Sequence, residues 1–298
     1  MRLQPEPLRV TLRAAVLGHP IGHSKSPALH RAAYAQLGAD LAYEAIDVTV
    51  DALPVFMAGV RGDGRWRGLS VTMPLKAAMA AEVDDIRGVA RQLGVINTVA
   101  FESGPHDGSP ARLVGYNTDV AGIVNALRYA GATAKPVAVV LGGGGTAAAA
   151  IAAMKEFGAA SVAVYVRDVA RAAEARAAAA AVGLSLQVLP LTGAAPAVAA
   201  ADVVISTLPP RAADGVAEEL ARHGSLVDGV LLDVAYDPWP SRIATVFSDA
   251  GGRVVPGLEM LLYQAVEQVR YFTGLEGPAA AEVIDVMCDA VGAPRRAF

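Results

Sequence analysis

Apolar residues along the chain fall into short β-rich runs separated by stretches with helical spacing. In the first part the runs AAVLG (14–18), AYEAIDV (42–48) and GLSVTM (68–73) alternate with SPALHRAAYAQLG (26–38) and ALPVFMAGV (52–60), which read as helices. Such alternation predicts an α/β layer with mainly parallel strands. The helix opening at Ser26 and Pro27 has a serine at a cap-like position, a proline in its first turn and Gly38 as its stop. A second alternating block begins near Pro136. PVAVVLG is a strand, TAAAAIAAMKEFG a helix, SVAVYV a strand and RDVARAAEARAAAAAVG a helix; SLQVLPL, a helical stretch to Ala200, ADVVISTL, AEELARHG, LLDVAY and RVVPG follow. This is the progression of a doubly wound, Rossmann-type nucleotide-binding sheet. Over 257–273, Leu258, Leu261, Leu262, Ala265, Val266 and Val269 mark one packed helix face, and Met260, Gln264 and Glu267 lie off it.

Composition narrows the picture. At 298 residues, 54% hydrophobic and 18% charged, the chain can bury more than one core, so two domains are expected. A formal net charge of −4 lacks the basic surplus of a nucleic-acid binder. One cysteine, Cys288, excludes an intrachain disulfide and a multi-thiolate metal site and fits a cytoplasmic setting. His and acidic residues nowhere show metal-ligand spacing, so no metal is expected. The uncharged run 136–154 approaches the length of a membrane span, but its four consecutive glycines and alanine-rich composition make it a buried strand, a tight turn and a helix. The opening MRLQPEPLRV has prolines at 5 and 7 and lacks the apolar core of a secretion signal. The alanine-rich helix around Ala175 carries Arg and Glu at helical spacing and reads as solvated.

Two kinds of chemistry stand out. In VAVVLGGGGTAAAA, Gly142, Gly144 and Ala147 have the G-x-G-x-x-A spacing between a strand and a helix. Gly142 permits the turn, Gly144 lets backbone N–H groups approach a pyrophosphate, and Ala147 lets the helix pack on the sheet with its positive end toward the phosphates. Dinucleotide binding is the expectation; a plain structural turn is the alternative. The next strand ends at Val166 and is followed by Arg167, with Arg171 one helical turn on, where two cations suit the 2′-phosphate of NADP. Asp168 conflicts with that unless it points away or pairs with Arg171, so NAD stays open, as does a reading of both arginines as solvated surface charges.

The second kind lies at strand ends of the first part, where open α/β sheets bind ligands. HPIGHSKSP places Ser24 and Ser26 at a helix start, a natural carboxylate receptor, although Ser26 reads equally as a cap; His19 and His23 read as loop or packing residues. SVTMPLK brings Thr72 and Lys76, GVINTV brings Asn97, and GYNTD brings Asn117, Thr118 and Asp119. Singly these are turn and cap residues. Together they suit a small polyhydroxylated acid.

GHPIGHSKSP, SVTMPLK, GVINTV, GYNTD, GGGGTAAAA and GLEMLLYQA, in this order, resemble the shikimate dehydrogenase family, and YDPWP (236–240) resembles its actinobacterial members. The resemblance implies NADPH-dependent interconversion of 3-dehydroshikimate and shikimate, on the way to chorismate and the aromatic amino acids, by a monomer or homodimer with no membrane partner. It implies a substrate domain over 1–118, completed by 257–298, and an NADP domain over 119–256. Lys76 and Asp119 would be catalytic. Ser24 and Ser26 would hold the carboxylate, and Thr72, Asn97, Asp119 and Gln264, with Tyr236 nearby, the ring hydroxyls. Gly142, Gly143, Gly144, Gly145, Thr146, Arg167, Arg171, Thr207, Gly257 and Met260 would serve the cofactor. Val166 and Asp168 depart from the family's usual Asn and Thr, and Val95 and Ile96 stand where small residues are common.

For a proton to move at Lys76, burial must disfavour its ammonium while Asp119 favours it, which predicts a coupled pair. The cleft is expected between the domains, closing about hinges near Asp119 and Gly257. The rivals are an NAD-dependent quinate/shikimate or aminoshikimate dehydrogenase, a non-catalytic NADP-binding regulator and a folate-type dehydrogenase.

Overall fold

A computed structural model describes residues 11–102, 111–277 and 281–295. The prolines at 5 and 7 lie outside them. Two sheets organise the described residues, one on each side of a cleft.

The first sheet is built from β1 (Leu12–Gly18), β2 (Leu41–Asp47), β3 (Trp66–Val71), β4 (Asp85–Ile86), β5 (Thr98–Glu102) and β6 (Arg112–Tyr116), in the order β2-β1-β3-β5-β6-β4. β1, β2 and β3 are parallel, but β5 runs antiparallel to both β3 and β6. The expectation of mainly parallel strands therefore holds for only part of this sheet. The reversal has a consequence for chemistry: the C-terminal ends of β1, β3 and β6 and the N-terminal start of β5 lie along one edge. Ala14 and Val16 face a core shared with α1 (Ser26–Leu37), α10 (Gly257–Thr273) and α11 (Ala281–Val291), whereas Ala15 and Leu17 face α2 (Leu53–Arg61) and the short α3 (Val89–Leu93). This alternation is the strand's two-residue period in use.

The second sheet is wholly parallel, in the order β12-β11-β10-β7-β8-β9, from β7 (Ala138–Leu141), β8 (Ser161–Val166), β9 (Ser185–Pro190), β10 (Val203–Ser206), β11 (Val230–Asp233) and β12 (Arg253–Pro256). Strand order reverses between β7 and β10, the position where a doubly wound sheet opens a ligand crevice. Its faces are covered by α4 (Asp119–Tyr129), α5 (Gly145–Glu156) and α6 (Ala173–Val182) on one side. On the other lie α7 (Ala195–Ala200), α8 (Asp214–His223) and α9 (Arg242–Asp249). The uncharged run becomes β7, a turn and α5, whose residues Ala147 to Met154 are all buried; small side chains let this helix lie close on the sheet. Among the described residues no helix is long and apolar enough to cross a membrane.

Three local readings change. The helix expected from Arg167 begins only at Ala173, because Asp168 instead holds a single 3₁₀ turn over Val169–Arg171 by accepting a bond from the Ala170 N–H at 3.0 Å. Arg171 therefore sits in that turn, not one α-helical turn along from Arg167. In α6, read as solvated, Ala175, Ala178 and Ala179 form a buried stripe. In α10, Met260 and Gln264 are buried along with the apolar face, because the helix is wedged between the first sheet and α4. A Cβ on Gly122 of α4 would lie 2.8 Å from the Met260 carbonyl, so glycine permits this close crossing of the two helices that join the halves.

Candidate active site

Short strands deliver the polar residues to the edge of the first sheet. β1 ends at Gly18, where a Cβ would strike Thr72 Cγ2 at 2.5 Å, so glycine admits Thr72 beside the strand. β3 ends at Val71 and leads to Thr72 and, after a turn, Lys76; Asn97 precedes β5; Asn117, Thr118 and Asp119 carry β6 into α4. Across a gap stands the end of β7. Lys76, Asn97, Asp119, Ser24, Ser26, Thr72, Tyr236, Gln264, Gly257, Met260 and Thr146 all line one cleft of about 260 Å³.

Lys76 Nζ donates to Asp119 Oδ2 at 2.5 Å and to Thr146 Oγ1 at 3.3 Å, so one amine touches both sides of the cleft. The pair is nearly enclosed, with side-chain exposures of 15% for Lys76 and 6% for Asp119. Burial raises the value of each remaining bond to the charges, since an unpaired buried charge is costly. Asp119 Oδ1 accepts from Asn97 Nδ2 at 2.8 Å, and its own backbone N–H donates to Asn117 Oδ1 at 3.1 Å. Asn97 Nδ2 also reaches Gln264 Oε1 at 3.2 Å, tying α10 to the same network.

At the other end of the cleft Ser24 and Ser26 flank Lys25. Lys25, not Ser26, takes the N-cap position of α1; Ser24 Oγ accepts from the Ser26 N–H at 3.3 Å, and Ser26 is buried in the first turn. Tyr236 lines the cleft from the second half, and burial holds its phenol above the ordinary pKa, keeping it protonated at neutral pH. The loop carrying Tyr236 is framed by Asp233, whose carboxylate accepts from Ser241 Oγ at 2.5 Å and the Ala235 N–H at 3.3 Å. Three hydroxyls and a helix start thus converge as donors for a carboxylate. Of the histidines, His23 lines the cleft and His19 bonds Asp47 at 2.6 Å outside it.

The glycine turn fits a dinucleotide. Gly142 has φ +112, and a Cβ there would lie 2.3 Å from Thr207 Oγ1 at the end of β10, in the crevice at the order reversal. A Cβ on Gly143 would meet Val166 at 2.9 Å, whereas Gly144, extended at the N-cap of α5, has nothing nearer than Glu174 Oε2 at 3.9 Å. The turn is therefore crowded behind and bare in front, as backbone approach to a phosphate requires. Val95 packs under it, 3.2 Å from a Cβ on Gly145, while Ile96 fills space beneath Gly115.

Arg167 lines a separate hollow with Leu191, Thr192 and Val216, and both Arg167 and Arg171 are exposed with no ion-pair partner among the described residues. Asp168 neither pairs with Arg171 nor stands free, since Oδ1 holds the Ala170 N–H. Three site features escaped the sequence reading: Glu174, facing the glycine turn; Ser70, lining the cleft; and Gln268, one helical turn beyond Gln264 and also in the lining.

A doubly wound sheet with a bare glycine turn, facing a buried amine and carboxylate across a cleft, defines a two-domain nicotinamide-dependent dehydrogenase. Comparison with known proteins narrows the class. Residues 16–99 match the shikimate dehydrogenase substrate binding domain and residues 257–284 the shikimate 5′-dehydrogenase C-terminal domain. Shikimate dehydrogenase (NADP(+)) of Rubrobacter xylanophilus is 38% identical over 91% of this chain and 94% of its own length. The shikimate dehydrogenase structure of Mycobacterium tuberculosis superposes with a TM-score of 0.80 at 41% identity, covering 94% of this chain and 99% of that one. Shikimate 5-dehydrogenase of Thermus thermophilus, solved with NADP(H) and shikimate, superposes at 0.75 with 33% identity and the same coverage. The chain belongs to the shikimate dehydrogenase family.

Proposed function

We propose that this chain catalyses the NADPH-dependent, reversible reduction of 3-dehydroshikimate to shikimate in the cytoplasm. The observation that carries the reading is Lys76 Nζ, held at once by Asp119 Oδ2 and by Thr146 of the glycine turn, so that a proton donor stands between the two binding regions. Residues 1–118 with 257–298 serve as the substrate half and 119–256 as the cofactor half. Residues 142–146, Thr207, Gly257 and Met260 would hold NADP(H), with Arg167 and Arg171 available for its 2′-phosphate, and the cofactor would supply or accept the hydride.

The remaining chemistry belongs to the protein. As a ring ketone becomes an alkoxide, charge grows on one oxygen, and Lys76 stabilises it and donates a proton; in the oxidative direction neutral Lys76 accepts that proton. Asp119 holds the amine in place and compensates its ammonium. Ser24, Ser26 and Tyr236 hold the ring carboxylate at one end of the cleft, while Thr72, Asn97, Asp119 and Gln264 hold hydroxyls at the other. Two-ended attachment sets which ring carbon faces the nicotinamide.

The test is purified enzyme supplied with shikimate or quinate, each with NADP or NAD, following nicotinamide reduction. Selective turnover of shikimate with NADP is expected. Comparable turnover of quinate, or preference for NAD, would transfer the chain to the quinate/shikimate branch and make Asp168 and Glu174 the residues to exchange.

A further inference from the structure

Beneath the cleft, whose lining Ser70 and Gln268 reach, lies a buried polar cluster that has no part in the mechanism above. His30 is completely inaccessible, stacked on Tyr43 at 4.0 Å between ring centroids, and burial pushes its pKa down to about 3, so the imidazole is neutral. A neutral imidazole has one donor and one acceptor. Its Nε2 lies 3.2 Å from Gln268 Oε1 and its Nδ1 3.0 Å from the Tyr34 hydroxyl, so Nε2 carries the proton and Nδ1 accepts from Tyr34. Gln268 Oε1 accepts a second bond, from Ser70 Oγ at 2.7 Å, and Ser70 in turn accepts from the Tyr43 hydroxyl at 2.7 Å.

These donors determine which way the Gln268 amide faces. Its Nε2 points to the Asn97 carbonyl at 3.2 Å and to Thr98 Oγ1 at 3.0 Å; turned over, its oxygen would oppose the Asn97 carbonyl and its amine would face two donors. With Thr98 Oγ1 already accepting, its proton goes to Asn97 Oδ1 at 2.8 Å, and the Thr118 N–H occupies the same oxygen at 2.7 Å. Asn97 is left with its amine toward Asp119 Oδ1, which reserves Oδ2 for Lys76.

We infer that Gln268 is a positioning residue, oriented by His30 and Ser70, that acts through Asn97 to hold Asp119 in register with Lys76. The inference rests on the catalytic roles proposed for Asp119 and Lys76, and a double-mutant cycle tests it. Gln268→Met keeps the volume and removes every bond. It is expected to lower kcat for shikimate oxidation about tenfold, with KM for NADP changed less than about twofold. In an Asn97→Ala background the same substitution is expected to change kcat by less than about twofold, since the route through Asn97 is already cut. A tenfold loss persisting in that background, or no loss in the parent, overturns the inference. Failure of the parent to oxidise shikimate overturns instead the reading on which it rests. Should Gln268→Met not fold, His30→Phe, which keeps the stack on Tyr43 and withdraws the imidazole N–H, enters the same cycle with an expected loss of about threefold in the parent and none in the Asn97→Ala background; an equal loss in both backgrounds, or none in either, overturns the inference.

Discussion

The two sides of the cleft present recognition chemistry by opposite means. On the cofactor side the offering is backbone: Gly142 at φ +112, a bare Gly144 and the start of α5, with alanines drawing the helix down onto the sheet. On the substrate side it is side chains, with Lys76, Asp119, Asn97 and Gln264 bonded to one another in burial. The first surface depends on atoms that are absent, and the second on atoms that are present. Adding a methyl should therefore damage one side, and deleting a functional group the other.

The largest effect is expected on the substrate side. Lys76→Ala removes the proton donor and leaves Asp119 buried without its cation, so kcat should fall by about 10² to 10⁴. Binding of shikimate, followed by calorimetry, should persist through the other contacts. A variant retaining most of the parent turnover would sink the assignment of Lys76 and the contrast with it. Next comes Gly142→Ala, whose Cβ has to displace Thr207 from 2.3 Å while adopting a positive φ. KM for NADP should rise by roughly tenfold or more, with a smaller change in KM for shikimate, and a Kd for NADP equal to that of the parent would show that the turn is merely structural.

The third prediction concerns stability and isolates the buried cluster. His30 titrates at about 3 in the fold against 6.5 when free, so between these values the unfolded chain binds a proton that the folded chain does not. A depressed value of this kind contributes stability that is complete above about 6.5 and is lost as pH falls toward 3, at up to about 1.4 kcal/mol per pH unit. Asp47, Asp63 and Asp85 are held below the ordinary carboxylate range by hydrogen bonds from His19, Arg65 and Arg87 respectively, and lose stability with the same sign only at lower pH. Urea unfolding at pH 6.5, 5.5 and 4.5 should therefore show a shallower pH slope in His30→Phe, by about one proton. Equal slopes would mean that His30 takes up its proton without unfolding.

The same contrast explains what could be read in the sequence. The parallel sheet was legible because buried β-strands and alanine-rich helices repeat with clear periods, and the glycine spacing is local. Lys76 and Asp119, 43 positions apart, emerged only through the motifs SVTMPLK and GYNTD, since no period relates them. The antiparallel β5 was missed because Asn97 and Thr98, polar and buried, interrupt its apolar run. Gln268 was missed for a related reason. A glutamine on an amphipathic helix reads as solvent-facing, and its partner Ser70 lies 198 residues away. Asp168 conflicts with a 2′-phosphate in the sequence unless it points away or pairs with Arg171, and only the structure shows that one of its oxygens closes the turn over Val169–Arg171.

The smallest expected effect sharpens the comparison most. Glu174 belongs to the first turn of α6, where a carboxylate is favoured by that helix's dipole, yet its Oε2 stands 3.9 Å from the position of a Cβ on Gly144. The side that binds by absence thus carries an exposed negative charge beside its glycine turn. Exposed charges at such distances act through solvent and are worth a few tenths of a kcal/mol to about 1 kcal/mol. Glu174→Gln keeps the shape, and KM for NADP should fall by roughly two- to threefold at low salt, less at high salt as screening grows. Because NADP carries the additional 2′-phosphate, the fall should exceed that for NAD, and the ratio of the two gives the share of the effect that comes from that phosphate. An unchanged KM for both would mean that Glu174 turns away from the loop when cofactor binds.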